Sequence, residues 1–259
     1  MLNTEKIQAL LFDFGGTIDT DGQHWVHILY PLWEERHPGL DGSLYRQAFA
    51  HGERTLATQK IIHKDDNFLD LLEKKLAIQA AFLKQQGLPC TIMDQKSIAD
   101  DAYQQALDNC REQAGILKML GQKYRLAMVS NFYGNLQTVL KDFGILSFFE
   151  SITESAVVGV KKPDPRIWQF GADSLGLSCE NAAAIGDSLT KDMTAATSIG
   201  CQGIWIKGKG WEDALGSMDP SLENQDGQSA RQFPWTAINS LRQLPEILSA
   251  DSKTTTYGS

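Results

Sequence analysis

The chain has 259 residues, 42% hydrophobic, 22% charged and 9% aromatic, a composition that fits a globular protein and excludes a disordered or collagen-like one. Its 24 Lys+Arg against 32 Asp+Glu leave a formal net charge of -8, so the surface as a whole repels a polyanion and no nucleic-acid partner is expected. The apolar runs, such as Ala9 to Phe12, fall far short of the roughly 20 residues that span a bilayer, so no membrane partner is expected either.

Glu5 and Lys6 stand where a secretory leader would build its apolar run, and no N-x-Ser/Thr acceptor occurs. A cytoplasmic location is therefore expected. Ile7 to Phe12 is a short apolar run stopped by Asp13 and the pair Gly15-Gly16, which reads as a buried strand. Residues 22 to 111 contain no convincing strand but several amphipathic stretches, among them Asp70 to Gln86 and Asp94 to Cys110. Strand-like runs resume at Tyr124 to Val129, Ala182 to Ile185 and Gly203 to Ile206. Between them helical spacing links Leu136, Val139, Leu140 and Phe143, then Ile167, Phe170 and Leu175, then Met193, Ala196 and Ile199. This alternation predicts an α/β fold, a doubly wound parallel sheet covered on both faces, with an all-helical insertion after the first strand. The expected division is a core of residues 1–21 and 112–259 and a helical insertion of 22–111. Met218 to Gln232 reads as a loop, Ala237 to Leu248 as a last helix, and the Ser/Thr/Lys tail as disordered. Cys90, Cys110, Cys179 and Cys201 lack zinc-ligand or C-x-x-C spacing and are expected as reduced, mostly buried thiols.

In an open parallel sheet the ligand crevice lies outside the carboxyl ends of the strands. Asp13, Ser130 and Asp187 each follow or end such a strand. Each alone reads equally as the cap of the next helix; together they point to one site. Trp25, Tyr30 and Trp33 sit at helical spacing and read as core rather than as a substrate pocket.

Four motifs in order resemble the haloacid dehalogenase superfamily, in its branch with a helical cap: Leu11-Phe12-Asp13-Phe14-Gly15-Gly16-Thr17, Val129-Ser130-Asn131, Gly159-Val160-Lys161-Lys162-Pro163-Asp164-Pro165, and Ile185-Gly186-Asp187-Ser188-Leu189-Thr190-Lys191-Asp192. The resemblance implies a Rossmann-like core, a cap over the site, and hydrolysis of a small phosphorylated metabolite through an aspartyl-phosphate on Asp13. It further implies that Mg²⁺ is held by Asp13, the Gly15 backbone carbonyl and Asp187, with Asp192 as an outer or alternative ligand. Lys162 would act as a point charge on Asp13 and the phosphoryl oxygens, and Thr17, Ser130 and Asn131 would bind substrate.

One position departs from the pattern. Phosphatases of this family usually carry a second aspartate two residues after the nucleophile, as general acid and base, and here that residue is Gly15. Candidate stand-ins are Asp19, Asp21 and His24. The departure keeps three other readings open. A 2-haloacid dehalogenase lacks that aspartate, but typically lacks the acid at the Asp187 position too. A phosphonoacetaldehyde hydrolase uses a cap lysine, whereas Lys60, Lys64, Lys74, Lys75, Lys84 and Lys96 read as ordinary solvated helix faces. A catalytically weak phosphate-binding protein would have no need of the Asp13, Lys162 and Asp187 that are present.

Overall fold

The computed structural model describes residues 2–210 and 235–249; the expected loop at 218–232 and the Ser/Thr/Lys tail lie outside the described residues. Six parallel strands form one sheet in the order β3-β2-β1-β4-β5-β6. They are β1 (Ala9–Phe12), β2 (Arg125–Ser130), β3 (Ser151–Glu154), β4 (Ala182–Gly186), β5 (Gln202–Ile206) and β6 (Trp235–Ile238). β1 is central, with Phe12 opposite Met128 of β2 and Ile185 of β4. The ladder extends one residue further where the Asp13 N–H donates to Ile185 O at 2.9 Å.

Period-two alternation assigns the strand side chains to two cores. Leu10, Phe12, Leu126, Met128, Ala183 and Ile185 enter one; Ala9, Leu11, Ala127, Val129, Ala182 and Ala184 enter the other. The helices are α1 (Trp25–Arg36), α2 (Gly42–Thr58), α3 (Phe68–Gln85), α4 (Ile92–Leu120), α5 (Leu136–Asp142), α6 (Ser155–Val158), α7 (Arg166–Asp173), α8 (Ala195–Thr197), entered through a π-helical stretch Leu189–Thr194, and α9 (Leu244–Ser249). Capping explains where the long ones begin. Asn67 and Asp70 form a reciprocal capping box at α3, and Thr91 and Asp94 do the same at α4.

The structure adds detail at three places. The helix α4 runs unbroken through 111–112, the boundary drawn between core and insertion, because its buried stripe Ala102, Ala106, Cys110, Gln113, Leu117 and Leu120 continues without a break. Ala237 to Leu248 is not one helix: it opens in β6, turns at Asn239-Ser240 and becomes helical at α9. The edge strand β3 went unread, since Ser151-Ile152-Thr153-Glu154 has no apolar run. The four cysteines are free and buried, as expected, and among the described residues no helix is long and apolar enough to cross a membrane.

Tight packing of α7 against the sheet yields a direct test. A Cβ on Gly171 would lie 2.4 Å from Cγ2 of Val129 in β2. We expect Gly171→Ala to destabilise the fold by about 1–3 kcal/mol through overpacking, read as a lower denaturation midpoint in urea; an unchanged midpoint would show that α7 can lift from the sheet at no cost.

Candidate active site

Strands β1, β2 and β4 deliver the predicted residues to one end of the sheet. Asp13 follows β1, Ser130 is the last residue of β2, and Asp187 follows β4. Lys162 comes from the segment between α6 and α7, and its Nζ lies 2.7 Å from Asp13 Oδ1 and 2.8 Å from Asp192 Oδ1. All three of these side chains are almost wholly buried, with 2% of Lys162, 10% of Asp13 and 1% of Asp192 exposed. The Trp168 indole completes the ammonium's surroundings, 4.4 Å from Nζ to its ring centroid.

Local backbone contacts aim these groups. Asn131 clasps the Lys162 main chain, donating from Nδ2 to its carbonyl at 3.1 Å and accepting its N–H at Oδ1 at 2.8 Å. The side-chain amide is thereby used on protein, so Asn131 is placed to orient Lys162. The Ser188 N–H donates to Asp192 Oδ2 at 2.9 Å, which engages the second oxygen of that carboxylate. Gly186 permits this approach, since a Cβ there would sit 2.4 Å from Asp192 Oδ2. Gly16 has φ of 93°, and its Cβ would lie 2.6 Å from Asp187 Oδ2; glycine is required on both counts. Thr17 Oγ1 lies 3.5 Å from Asp187 Oδ1, too long for a strong bond. Trp205 Nε1–H donates to the Asp187 carbonyl at 2.8 Å.

Asp13, Asp187 and Asp192 each offer an oxygen within 4.8 Å of the others. Burial first, then the negative charges of Asp192 and Asp13, push Asp187 well above the ordinary carboxylate range. Burial also opposes the Lys162 charge, but Asp13 and Asp192 outweigh it and raise its pKa. Three carboxylates face one ammonium, so the site carries excess negative charge in little water. That donor set suits a hard divalent cation with oxygen ligands.

The candidates for the missing acid separate. Both oxygens of Asp21 are taken by the C-terminal segment, at 2.7 Å from Ser240 Oγ and 2.8 Å from the Leu241 N–H. His24 accepts the Val26 N–H at Nδ1, and burial followed by the charge of Lys191 lowers its pKa to about 4. Asp19 is fully buried; it accepts the Gly16 N–H at 2.8 Å and the Trp25 indole N–H at 2.7 Å. Its Oδ2 is the atom that a Cβ on Gly15 would face, at 4.0 Å. Trp25 and Trp33 are buried, as their spacing predicted, and Tyr30 is half-buried, its hydroxyl donating to Leu40 O. Lys75 departs from its expectation as a solvated lysine: it is buried and paired with Glu53.

The cluster stands at the head of a parallel α/β sheet. A profile of the haloacid dehalogenase-like hydrolases matches residues 7–200, and the chain belongs to that family. It is 33% identical over 96 residues to a phosphoserine phosphatase from Thermus thermophilus, covering 36% of this chain and 39% of that protein. It is 36% identical over 101 residues to a glyceraldehyde 3-phosphate phosphatase from Methanopyrus kandleri, covering 39% and 42%. The chain thus spans less than half the length of these curated relatives. A dehalogenase solved with an intermediate aligns over 95% of this chain and 99% of its own, at 20% identity and a TM-score of 0.59. A magnesium-bound HAD-hydrolase from Bacillus subtilis aligns over 94% and 99%, at 20% identity and a TM-score of 0.53. At these identities the structural likeness is one of fold.

Asp19 makes stability depend on pH. Burial, opposed by its hydrogen bonds from Trp25 and Gly16, pushes its pKa from 3.8 up to about 7. A raised folded pKa contributes stability that is complete below the unfolded pKa and is lost as pH rises through the folded one. Wild type should therefore lose up to about 4 kcal/mol between pH 4 and 8 relative to Asp19→Asn, measured as the difference in urea midpoints; parallel profiles would show that Asp19 is solvated.

Proposed function

We propose that the protein is a magnesium-dependent phosphatase acting on a small phosphorylated metabolite, with Asp13 as nucleophile. The observation that carries this reading is the Lys162 ammonium, shared between Asp13 at 2.7 Å and Asp192 at 2.8 Å. It orients the Asp13 carboxylate through Oδ1, and Oδ2 is the oxygen assigned to attack.

Asp13, the Gly15 carbonyl and Asp187 are the residues that would hold the cation, with Asp192 behind them, already bound to Lys162 and the Ser188 N–H. Mg²⁺ when bound supplies the positive charge that lets an anionic nucleophile approach a phosphate dianion. The residues of the chain do the rest. Asp13 Oδ2 forms a bond to phosphorus as the bond to the leaving oxygen breaks, giving an acyl phosphate on Asp13. Water then attacks that phosphorus, releasing phosphate and restoring the carboxylate. Lys162 balances charge on the phosphoryl oxygens throughout, and the Ser130 and Thr17 hydroxyls donate to them. Residues 22–111 serve as a cap that excludes water and contacts the substrate.

The alternatives have less support. A dehalogenase has no use for Asp187 beside Asp13, and Lys75 is paired with Glu53 at 2.7 Å rather than presented as a desolvated free amine. We expect Mg²⁺ to raise Tm through linkage and Asp187→Ala to abolish the shift. Asp13→Asn should retain no turnover of p-nitrophenyl phosphate, and beryllium fluoride should bind at Asp13 in wild type. Chelator-resistant activity on 2-haloacids would instead establish the dehalogenase reading.

Gly15 generates a second expectation. With no side chain there to protonate the leaving oxygen, aryl and acyl phosphates should be cleaved far faster than alkyl phosphates. Gly15→Asp should narrow that gap, up to the roughly 10² to 10⁴ that general acid catalysis supplies. A flat dependence on leaving-group pKa in wild type would mean that another group donates the proton, and Asp19→Asn would then be the variant that restores the dependence.

A further inference from the structure

Away from the Asp13 centre, one set of charged side chains lies deep in the molecule and still meets solvent. Glu53 on α2 is half-buried, with 38% of its side chain accessible. Its Oε1 meets Lys75 Nζ of α3 at 2.7 Å, and only 8% of the Lys75 side chain is accessible. Its Oε2 accepts the Tyr133 hydroxyl at 2.7 Å. Tyr133 belongs to the loop after β2, three residues beyond Ser130. His24, in the loop after β1, is close enough to feel the charges of Glu53, Lys75 and Lys191, the last in the stretch after β4.

The loops leaving the carboxyl ends of β1 and β2 therefore both come close to Glu53. Glu53 stays partly open to solvent beside these strand-end loops. Loops at the carboxyl ends of the strands border the ligand crevice of an open parallel sheet, which makes Glu53 a candidate for the roof of the crevice above Asp13.

The roof has one available chemistry. Burial opposes the Glu53 charge, but the Lys75 ammonium and the bonds from Lys75 and Tyr133 outweigh it and hold the carboxyl below its usual range. The Lys75 ammonium is itself occupied by Glu53 and sits 5.8 Å from the ring centroids of both Phe49 and Tyr133. What faces the crevice is thus a hydrogen-bond acceptor carrying negative charge. An apolar tail placed there would strip water from the carboxylate and replace nothing, and an anionic tail would be repelled.

We propose that Glu53 selects the substrate by accepting hydrogen bonds from hydroxyl or ammonium groups on the part that is not phosphate, with Lys75 and Tyr133 as positioning residues. This rests on the phosphatase reading and narrows it to small phosphates whose carbon skeleton carries donors.

The test compares kcat/KM for glycerol 1-phosphate and phosphoethanolamine with that for propyl phosphate and p-nitrophenyl phosphate, in wild type and in Glu53→Gln. The ratio of a donor-bearing substrate to propyl phosphate should exceed one in wild type. It should fall by about tenfold or more in the variant, the scale of a hydrogen bond to a charged group. A fall confined to phosphoethanolamine identifies an ammonium, and a fall for glycerol 1-phosphate a hydroxyl. Should Glu53→Gln fail to fold, Tyr133→Phe should shift the same ratios by a smaller factor. Ratios unchanged in both variants, or a wild-type preference for propyl phosphate, overturn the proposal while Asp13-dependent turnover of p-nitrophenyl phosphate leaves the phosphatase reading standing. Absence of that turnover removes both.

Discussion

An ammonium buried between two carboxylates at the end of a sheet is the interaction on which the site depends. Lys162, Asp13 and Asp192 come from three separate segments, and taking such charges out of water costs several kcal/mol per ion unless each finds partners. The surrounding structure supplies them. Asn131 fixes the lysine main chain, the Trp168 ring stands beside the ammonium, and the Ser188 N–H binds the far oxygen of Asp192. Pairing is nevertheless incomplete, because Asp187 adds a third carboxylate and, among the described residues, no second cation is paired with the cluster. The fold therefore maintains a local excess of negative charge, which is the electrostatic precondition for a divalent ion.

Apolar packing fixes the other side of the same loop. Phe14, next to Asp13, is fully buried and meets Phe68 of α3, Phe132 after β2 and Phe143 after α5, at centroid distances of 6.3, 5.7 and 6.2 Å. Phe68 also packs on Trp25 of α1 at 5.3 Å. Asp13 is thus held by charge on one side, and its neighbour is wedged among rings on the other. The helical insertion and the Asp13 loop share this aromatic cluster, so displacing the helices would disturb the loop as well.

Much of this was legible in the sequence for physical reasons that can be named. Strands buried on both faces need continuous apolar runs, so β1, β2, β4 and β5 were readable, as were the polar residues that end them. The edge strand β3 has no such need, and β6 shares with a helix the spacing of Ile238, Leu241, Leu244 and Leu248, which a turn at Asn239-Ser240 divides. Lys75 was misread because its partners are distant in sequence: Glu53 lies one helix earlier and Tyr133 beyond β2. A solvated and a buried lysine have the same helical periodicity when only the third dimension supplies the counter-charge.

Gly15 and Asp19 are best understood together. In a trans peptide the N–H and the preceding C=O point in opposite directions, so the bond from Gly16 N–H to Asp19 Oδ1 also fixes the direction of the Gly15 carbonyl. The other Asp19 oxygen takes the Trp25 indole N–H, and the Asp19 main-chain carbonyl takes Asn109 Nδ2 of α4 at 2.9 Å. One buried residue therefore ties the glycine loop to two helices of the insertion. An aspartate at position 15 would aim its side chain toward a region bordered by Asp19 Oδ2, and two carboxylates so close would raise each other's pKa. Glycine at 15 and a buried aspartate at 19 are in this sense a matched pair: the loop has given up a side chain at the reacting end and gained a fixed carbonyl and an anchor to the helices above it.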